Sequence, residues 1–439
     1  MSTNETQDIN REKRRKRRVR NRFLSIMVVV LLVAVIAGLG GLGYMKLSGL
    51  KQSKDHDDKV TEKLEELTGD ETEIPVISEP DTTVSAPQVD PLEEALKAQI
   101  AEMTVEEKVA GMFFVTPESI TGVSVAVQAG NGTKEALDKF PVGGIIYFKK
   151  NIQSEEQIKE MLANTSSYST NRIFLGVNEE GGNVSSVSSK LDVTKIDNAA
   201  TLGKNETTDA TYEAGKTVGT YLQELGFNVN FAPVADVKTD SGNTLLGDRS
   251  FGSDAGVVAN HVAAMVKGIE ETGISACVKG FPGIGSANKD PEDGLSITER
   301  TLDEMRSTEF EGFKAAITEN ADFIMVSNVA APALTGGEYI PSCLSKDVVN
   351  GVLREELGYE GIIITSPLNE VAVTDYYTSG DAAVMAVSAG ADMILMPDNF
   401  EEAYYALLAA VLNNTISEDR IDESLLRIYK VKYADMLVE

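Results

Sequence analysis

The sequence predicts an α/β fold: a (β/α)8, TIM-like barrel preceded by a single transmembrane helix and a disordered tether. Three observations predict it. Residues 23–45 hold no charged side chain. From about residue 92 onward, apolar runs of strand length recur. Segments of helical period separate those runs, as expected when helices cover both faces of a parallel sheet.

The elements follow in chain order. Residues 1–22 carry nine Lys/Arg against Glu5, Asp8 and Glu12, a net of +6 within a total of −28, which leaves −34 on the rest. So acidic a chain repels phosphate backbones, which argues against nucleic acid as a partner despite the basic head REKRRKRRVRNR. The neighbouring run FLSIMVVVLLVAVIAGLGGLGYM, 23–45, is long enough as a helix to cross a hydrocarbon layer of roughly 30 Å. Basic residues precede it, so the positive-inside rule predicts a cytoplasmic N-terminus and an extracellular barrel on a single-pass membrane anchor. A cleaved signal peptide is the rival reading, although its apolar core is typically about 7–15 residues. Residues 46–91 are an extracellular linker rich in Lys, Asp, Glu, Thr, Ser and Pro, as in EIPVISEPDTTVSAPQVD. Val60, Leu64 and Leu67 have the spacing of a short helix; the remainder reads as a tether of low hydrophobicity.

Residues 92–439 form the predicted barrel. Its strand candidates are VAGMFFV (109–115), VGGIIYF (142–148), IFLGVNEE (173–180), FNVNFAPVAD (227–236), SACVKGF (275–281), FIMVSN (323–328), GIIITSP (361–367) and MILMPD (393–398). Helices lie between them, as in TLDEMRSTEFEGFKAAI. There Thr301 and Glu304 have capping-box spacing, and Leu302, Met305, Phe310, Phe313 and Ile317 make an apolar stripe. An open doubly wound sheet is the alternative, because periodicity does not report closure. In a barrel the chemistry belongs where strands end, at NEEGG, PVAD, KGFPGIG, VSN, TSPL and MPD. Cys277 and Cys343 are the only cysteines and His56 and His261 the only histidines. Two thiols make no disulfide framework, and Cys277, in an apolar run, reads as buried and inert. His56 falls in the linker and His261 in a helical pattern, so both read as structural or solvated. Nothing has metal-ligand spacing.

Three long stretches, MTVEEKVAGMF (103–113), NFAPVADVKTDSGNTLLGDRSFGSD (230–254) and LREELGYEGIIIT (353–365), resemble the family 3 glycoside hydrolases, specifically the bacterial β-N-acetylglucosaminidases that trim peptidoglycan fragments. The resemblance spans about 95–439. It implies β-N-acetylhexosaminidase chemistry on an N-acetylglucosamine-containing glycan or muropeptide, without a cofactor or metal. The residues that carry that chemistry are substituted. The family's KHFPGHG reads Lys279-Gly280-Phe281-Pro282-Gly283-Ile284-Gly285 here, and both histidines are gone. Its following D-x-H pair falls on Asp290 and Glu292. Its strand-6 T-A-H histidine falls on Asn328. Its nucleophile region S-D-D-L reads Thr365-Ser366-Pro367-Leu368, so the nucleophile falls on Ser366. Its sugar-gripping D-Q-E-G-G-R-V begins on Asn178 and places Asn183 at the arginine.

Each position has a functional and a structural reading. Ser366 lacks the charge to stabilise an oxocarbenium ion, and as a nucleophile it needs a base that no strand end supplies. Read structurally, it is a small polar residue at a strand terminus. Asp290 and Glu292 sit in the turn-forming run KDPEDG, where charges are usually solvated; Glu292 becomes an acid/base only if an apolar pocket raises its pKa. Glu370, four residues after Ser366, is a further candidate replacement carboxylate. Arg249 and Lys279 keep the family's sugar-contacting types, and the structural reading pairs Arg249 with Asp236, Asp248 or Asp254. Asp236 itself reads as an anchor. No tryptophan is present, so Tyr147 and Phe281 are the aromatic candidates for a sugar platform. The expectation is a membrane-anchored extracellular protein with impaired hydrolysis that binds cell-wall glycan fragments or a protein partner. An active hexosaminidase using replacement carboxylates and an interaction scaffold without sugar affinity are the alternatives.

Overall fold

The computed structural model describes residues 90–240, 243 and 245–437, together with Lys59, Thr61 and Lys63. The predicted anchor, 23–45, lies outside them, as does most of the linker. Among the described residues no helix is long and apolar enough to cross a membrane. Lys59, Thr61 and Lys63 are helical, within the segment whose spacing suggested a short helix.

The continuously described chain opens with a capped helix, Pro91–Glu102. Asp90 accepts from Leu92 N, a proline follows it, and Leu92, Leu96 and Ile100 face inward. A second helix, Val105–Gly111, starts on a complete capping box between Thr104 and Glu107. That helix takes up the front of the apolar run 109–115, so strand β1 is only Phe113–Val115. The other strands lie within their predicted runs: β2 Gly144–Tyr147, β3 Phe174–Val177, β4 Val229–Asn230, β5 Ser275–Phe281, β6 Phe323–Val326, β7 Ile362–Thr365 and β8 Ile394–Leu395. β4 is the shortest against its run of ten residues. Pro233 has no N–H for the ladder, and beyond Asn230 only the Val234–Lys279 bridge pairs with β5.

All eight strands are parallel, and every neighbour in the sheet is the next strand in sequence, with β8 beside β1. A doubly wound sheet would reverse its order at a switch point; this one does not. The ring is completed between β7 and β8 by the single bridge Ile364–Met393, supported by Met393 N to Ile363 O and Thr365 N to Met393 O, each 3.1 Å. The result is a nearly closed TIM-like barrel. Its interior is filled by rings. Phe114 packs on Phe231 at 5.2 Å and Phe174 on Phe323 at 5.1 Å between centroids. Glycines make the room: a methyl group on Gly176 would stand 2.6 Å from Phe231, and one on Gly144 2.7 Å from Phe114. The capping box at Thr301 and Glu304 is present as predicted, but the helix there divides at Thr308 into Leu302–Ser307 and Glu309–Thr318.

Candidate active site

The C-terminal ends of the strands surround a cavity of about 500 Å3. Asn178, Asn183, Arg249, Lys279, Asp290, Glu292 and Ser366 all line it, joined by Glu180, Asp236, Asn328 and Glu370. Residues scattered from 178 to 370 meet here because each follows or ends a barrel strand.

The floor is a charged triad. Chain alternation after β3 sends Asn178 and Glu180 into the cavity and Glu179 to the other side, where it accepts from Val187 N, Ser188 N and the Tyr221 hydroxyl. Glu180 receives both Nε and Nη2 of Arg249 at 2.8 Å and also pairs with Lys279. Lys279 Nζ donates to Asn178 Oδ1 at 3.0 Å. Burial opposes the charge on Glu180, but Lys279 and Arg249 outweigh it and hold the carboxyl below its ordinary range. The expected partners of Arg249 were Asp236, Asp248 or Asp254, and that expectation is corrected. Asp254 is occupied as the cap of Ala255–Glu270, and a carboxylate 69 residues before Arg249 takes its fork. Nη1 is left with no hydrogen bond among the described residues.

Asp236 is fully buried beside the triad. Oδ1 accepts from Ile284 N at 2.5 Å, which anchors the loop after β5 as expected, while Oδ2 has no partner. Burial pushes its pKa up to about 8, against the pull of the Ile284 N–H. A methyl group on Gly280 would lie 1.8 Å from Asp236 Oδ2, and Gly280 sits at φ +114°, where a side chain is strained.

The opposite wall is acidic. Asp290 caps the turn Pro291–Asp293 by accepting from Glu292 N at 2.9 Å, and Glu292 is exposed. Ser366 N donates to Val326 O at 2.7 Å and so joins β7 to β6. Among the described residues no histidine lines the cavity to act as a base for its hydroxyl. His261 is buried elsewhere, bonded to Thr211 Oγ1 at 2.6 Å and stacked on Phe251, and His56 is outside the described residues. Glu370 is half-buried, with Oε2 accepting from Asn328 Nδ2 at 2.8 Å. Burial, then the like charges of Glu292 and Asp290, raise its pKa to about 7 despite that bond. Both cysteines are buried and unpaired, and burial pushes both thiols up.

The aromatic platforms are corrected too. Tyr147 is wholly buried with its hydroxyl on Thr165, and Phe281 is enclosed between Phe310 and Phe313. The rings that do line the cavity are Phe148 and Phe231. Three participants went unassigned in the sequence: Glu180 as counter-ion, and the rings Phe148 and Phe231. The signal for Glu180 was the two-residue period of Asn-Glu-Glu after a strand.

A parallel barrel with a carboxylate-lined pocket at the strand C-termini, floored by an Arg–Glu–Lys triad, gathers its polar groups on the face where barrels of this kind carry their sites. Residues 104–431 match the model of the glycosyl hydrolase family 3 N terminal domain. The chain belongs to that family. It is 28% identical over 325 residues to beta-hexosaminidase A of Pseudoalteromonas piscicida, a match covering 68% of this chain and 54% of that one. It is 25% identical over 345 residues to a beta-N-acetylglucosaminidase/beta-glucosidase of Cellulomonas fimi, covering 77% and 59%. The chain thus spans a little over half the length of these relatives. Among solved structures, the family 3 beta-N-acetylglucosaminidase of a Paenibacillus species superposes with a TM-score of 0.72 at 32% identity, covering 76% of this chain and 63% of that one.

Proposed function

We propose that the cavity binds N-acetylglucosamine-containing glycan, such as cell-wall fragments or muropeptides, while hydrolysis by double displacement is impaired. One observation supports this reading: Arg249 and Lys279 stand at the floor, whereas Ser366 stands at the end of β7 and, among the described residues, no histidine lines the cavity. A retaining glycosidase needs a nucleophilic carboxylate roughly 5 Å from its acid/base partner. Arg249 and Lys279 are the proposed donors to sugar oxygens, with Asn178 and Asn183 at the rim. Asp290, Glu292 and Ser366 occupy the catalytic positions without their chemistry. Residues 23–45 are the proposed single-pass anchor, with 1–22 cytoplasmic, 46–91 a linker and the barrel from 92 outside the cell. A protein partner at the membrane is the remaining candidate ligand.

The test is an assay of the protein on a chromogenic N-acetylglucosaminide, alongside thermal melting with N-acetylglucosamine. Binding without appreciable turnover is expected; ligand at 100 times its dissociation constant adds about 2.7 kcal/mol to stability. Turnover at ordinary rates, on the order of 1–1000 per second, overturns the impairment. The position of Glu370 favours the second reading, an enzyme using a replacement carboxylate, and such turnover would install it.

A further inference from the structure

We infer that Glu370 contacts the bound sugar directly, as a carboxylic acid whose Oε1–H donates to an acceptor oxygen of the ligand. This rests on the glycan-pocket reading and adds the residue, and the proton, on which binding depends.

The geometry fixes one oxygen and frees the other. Glu370 precedes the short helix Val371–Thr374 in the loop after β7. Its Oε2 is held by Asn328 Nδ2 at 2.8 Å; the same amide donates to Pro367 O at 2.8 Å, and Asn328 Oδ1 accepts from Cys343 Sγ at 2.9 Å. Asn328 and Cys343 are buried, at 1% and 0% exposure, so this support has little freedom. Oε1 has no hydrogen bond among the described residues, and Glu370 lines the cavity. Because Oε2 accepts from the amide, a proton on the carboxyl resides on Oε1.

The surrounding charges keep that proton near neutrality. The turn Pro291–Asp293, packed on the Glu370 helix, brings Asp290 and Glu292, both of like sign. Cys343, behind Asn328, stays a neutral thiol because burial opposes its ionisation. The cations lining the cavity are Lys149, Arg249 and Lys279. The last two are engaged by Glu180, and Lys149 forms no ion pair among the described residues. Asp236, at the floor, is the remaining titratable group. With no cation paired to it, and with burial and two like charges against it, the Glu370 carboxyl has a midpoint of about 7. A half-buried acid of this kind is a donor, and a neutral sugar offers it a hydroxyl oxygen or an acetamido carbonyl.

The test is isothermal titration of the full chain in detergent with N,N′-diacetylchitobiose and with cellobiose, between pH 5.5 and 8.5. Wild-type affinity is expected to fall about tenfold as pH rises through 7, the worth of one lost donor to a buried site. Glu370→Gln, whose amide remains a neutral donor, should bind like the wild type at pH 5.5 and show a flat profile. Asn328→Ala removes the bond that lowers the Glu370 pKa, so the midpoint should move upward, which a merely structural role does not predict. Equal pH loss for both sugars places the acceptor on a hydroxyl; loss confined to the chitobiose places it on the acetamido carbonyl. A wild-type affinity for chitobiose that is flat with pH overturns the assignment of Glu370 and leaves the glycan reading standing. Failure of both sugars to bind at millimolar concentration at every pH overturns the glycan reading, and this assignment with it.

Discussion

Asp392 and Asp236 are both completely buried carboxylates at the ends of barrel strands, and the protein treats them in opposite ways. Asp392 stands two residues before β8, at the N-terminal end. It accepts from Arg354 at 2.7 Å, Arg427 at 3.0 Å, Ser424 Oγ at 2.7 Å and Ile363 N at 2.9 Å, with Arg420 at 3.9 Å. Asp236, at the C-terminal end, has a single N–H partner and an orphaned oxygen. Buried polar atoms are ordinarily satisfied, and an exception calls for an explanation. In this fold the N-terminal face serves stability and the C-terminal face serves ligands. The contrast between the two aspartates shows that division in this chain.

The contrast breaks most visibly at Asp392. Asp392→Ala leaves three arginines around an empty space, and removing one member of a buried ion network costs about 3–5 kcal/mol. Urea denaturation should show that loss; a change below about 1 kcal/mol would mean the bottom network is ornamental. Asp236→Asn should act in the reverse direction. The folded pKa of Asp236 is raised above its unfolded value, so the native state holds the extra proton and wild-type stability falls as pH climbs from about 4 to about 8. The asparagine removes that slope and should gain about 1–3 kcal/mol near pH 8, with little gain at pH 4. A gain independent of pH would deny that the carboxyl titrates there.

Arg249→Ala should cost about 1–2 kcal/mol, less than Asp392→Ala, because its side chain is 32% exposed and Lys279 still faces Glu180. The same variant should weaken any thermal shift with N-acetylglucosamine; an unchanged shift would remove Arg249 from the binding floor. The smallest expected effect is Ser366→Asp. It puts a carboxylate at the proposed nucleophile position while Glu292 stays at the proposed acid/base position, so release of chromophore should stay at background. Adding Glu292→His and Ile284→His should give at most a trace of activity, and Gly280→His is not a simple addition: its Cβ would collide with Asp236 Oδ2. A strong gain from Ser366→Asp alone would show that a working acid already faces it.

The fold was largely legible because burial on both faces writes each strand as an apolar run. Run lengths misled where another element competed for the residues. Val109–Gly111 belongs to a helix because the Thr104–Glu107 box starts one there, and around Pro233 residues 231–236 keep only the Val234–Lys279 bridge to β5. Convergence of the seven candidate positions was also legible, since strand-end placement follows from topology alone. Partner choice was not. Arg249 passes over nearby aspartates for Glu180, a choice made by the depth of the pocket rather than by distance along the chain. Tyr147 and Phe281 looked available because they end strands, yet each turns into the layer between sheet and helices. The state of Glu370 depends on Asn328 and on the turn at 290–293, neither of which a local motif contains.

The Asp392 network has a consequence for how the chain is made. It lies beside the weakest joint of the ring, where β7 and β8 share one bridge, and it ties Ile363 of β7 to Arg420, Ser424 and Arg427 of the helix Glu418–Lys432. Until that helix packs, the sheet lacks its rivet and presents β7 and β8 as open edges, the kind of surface on which unfinished chains pair with one another. Closure therefore waits on residues 418–432, and a chain truncated before residue 418 should form an aggregation-prone open sheet even though it contains all eight strands.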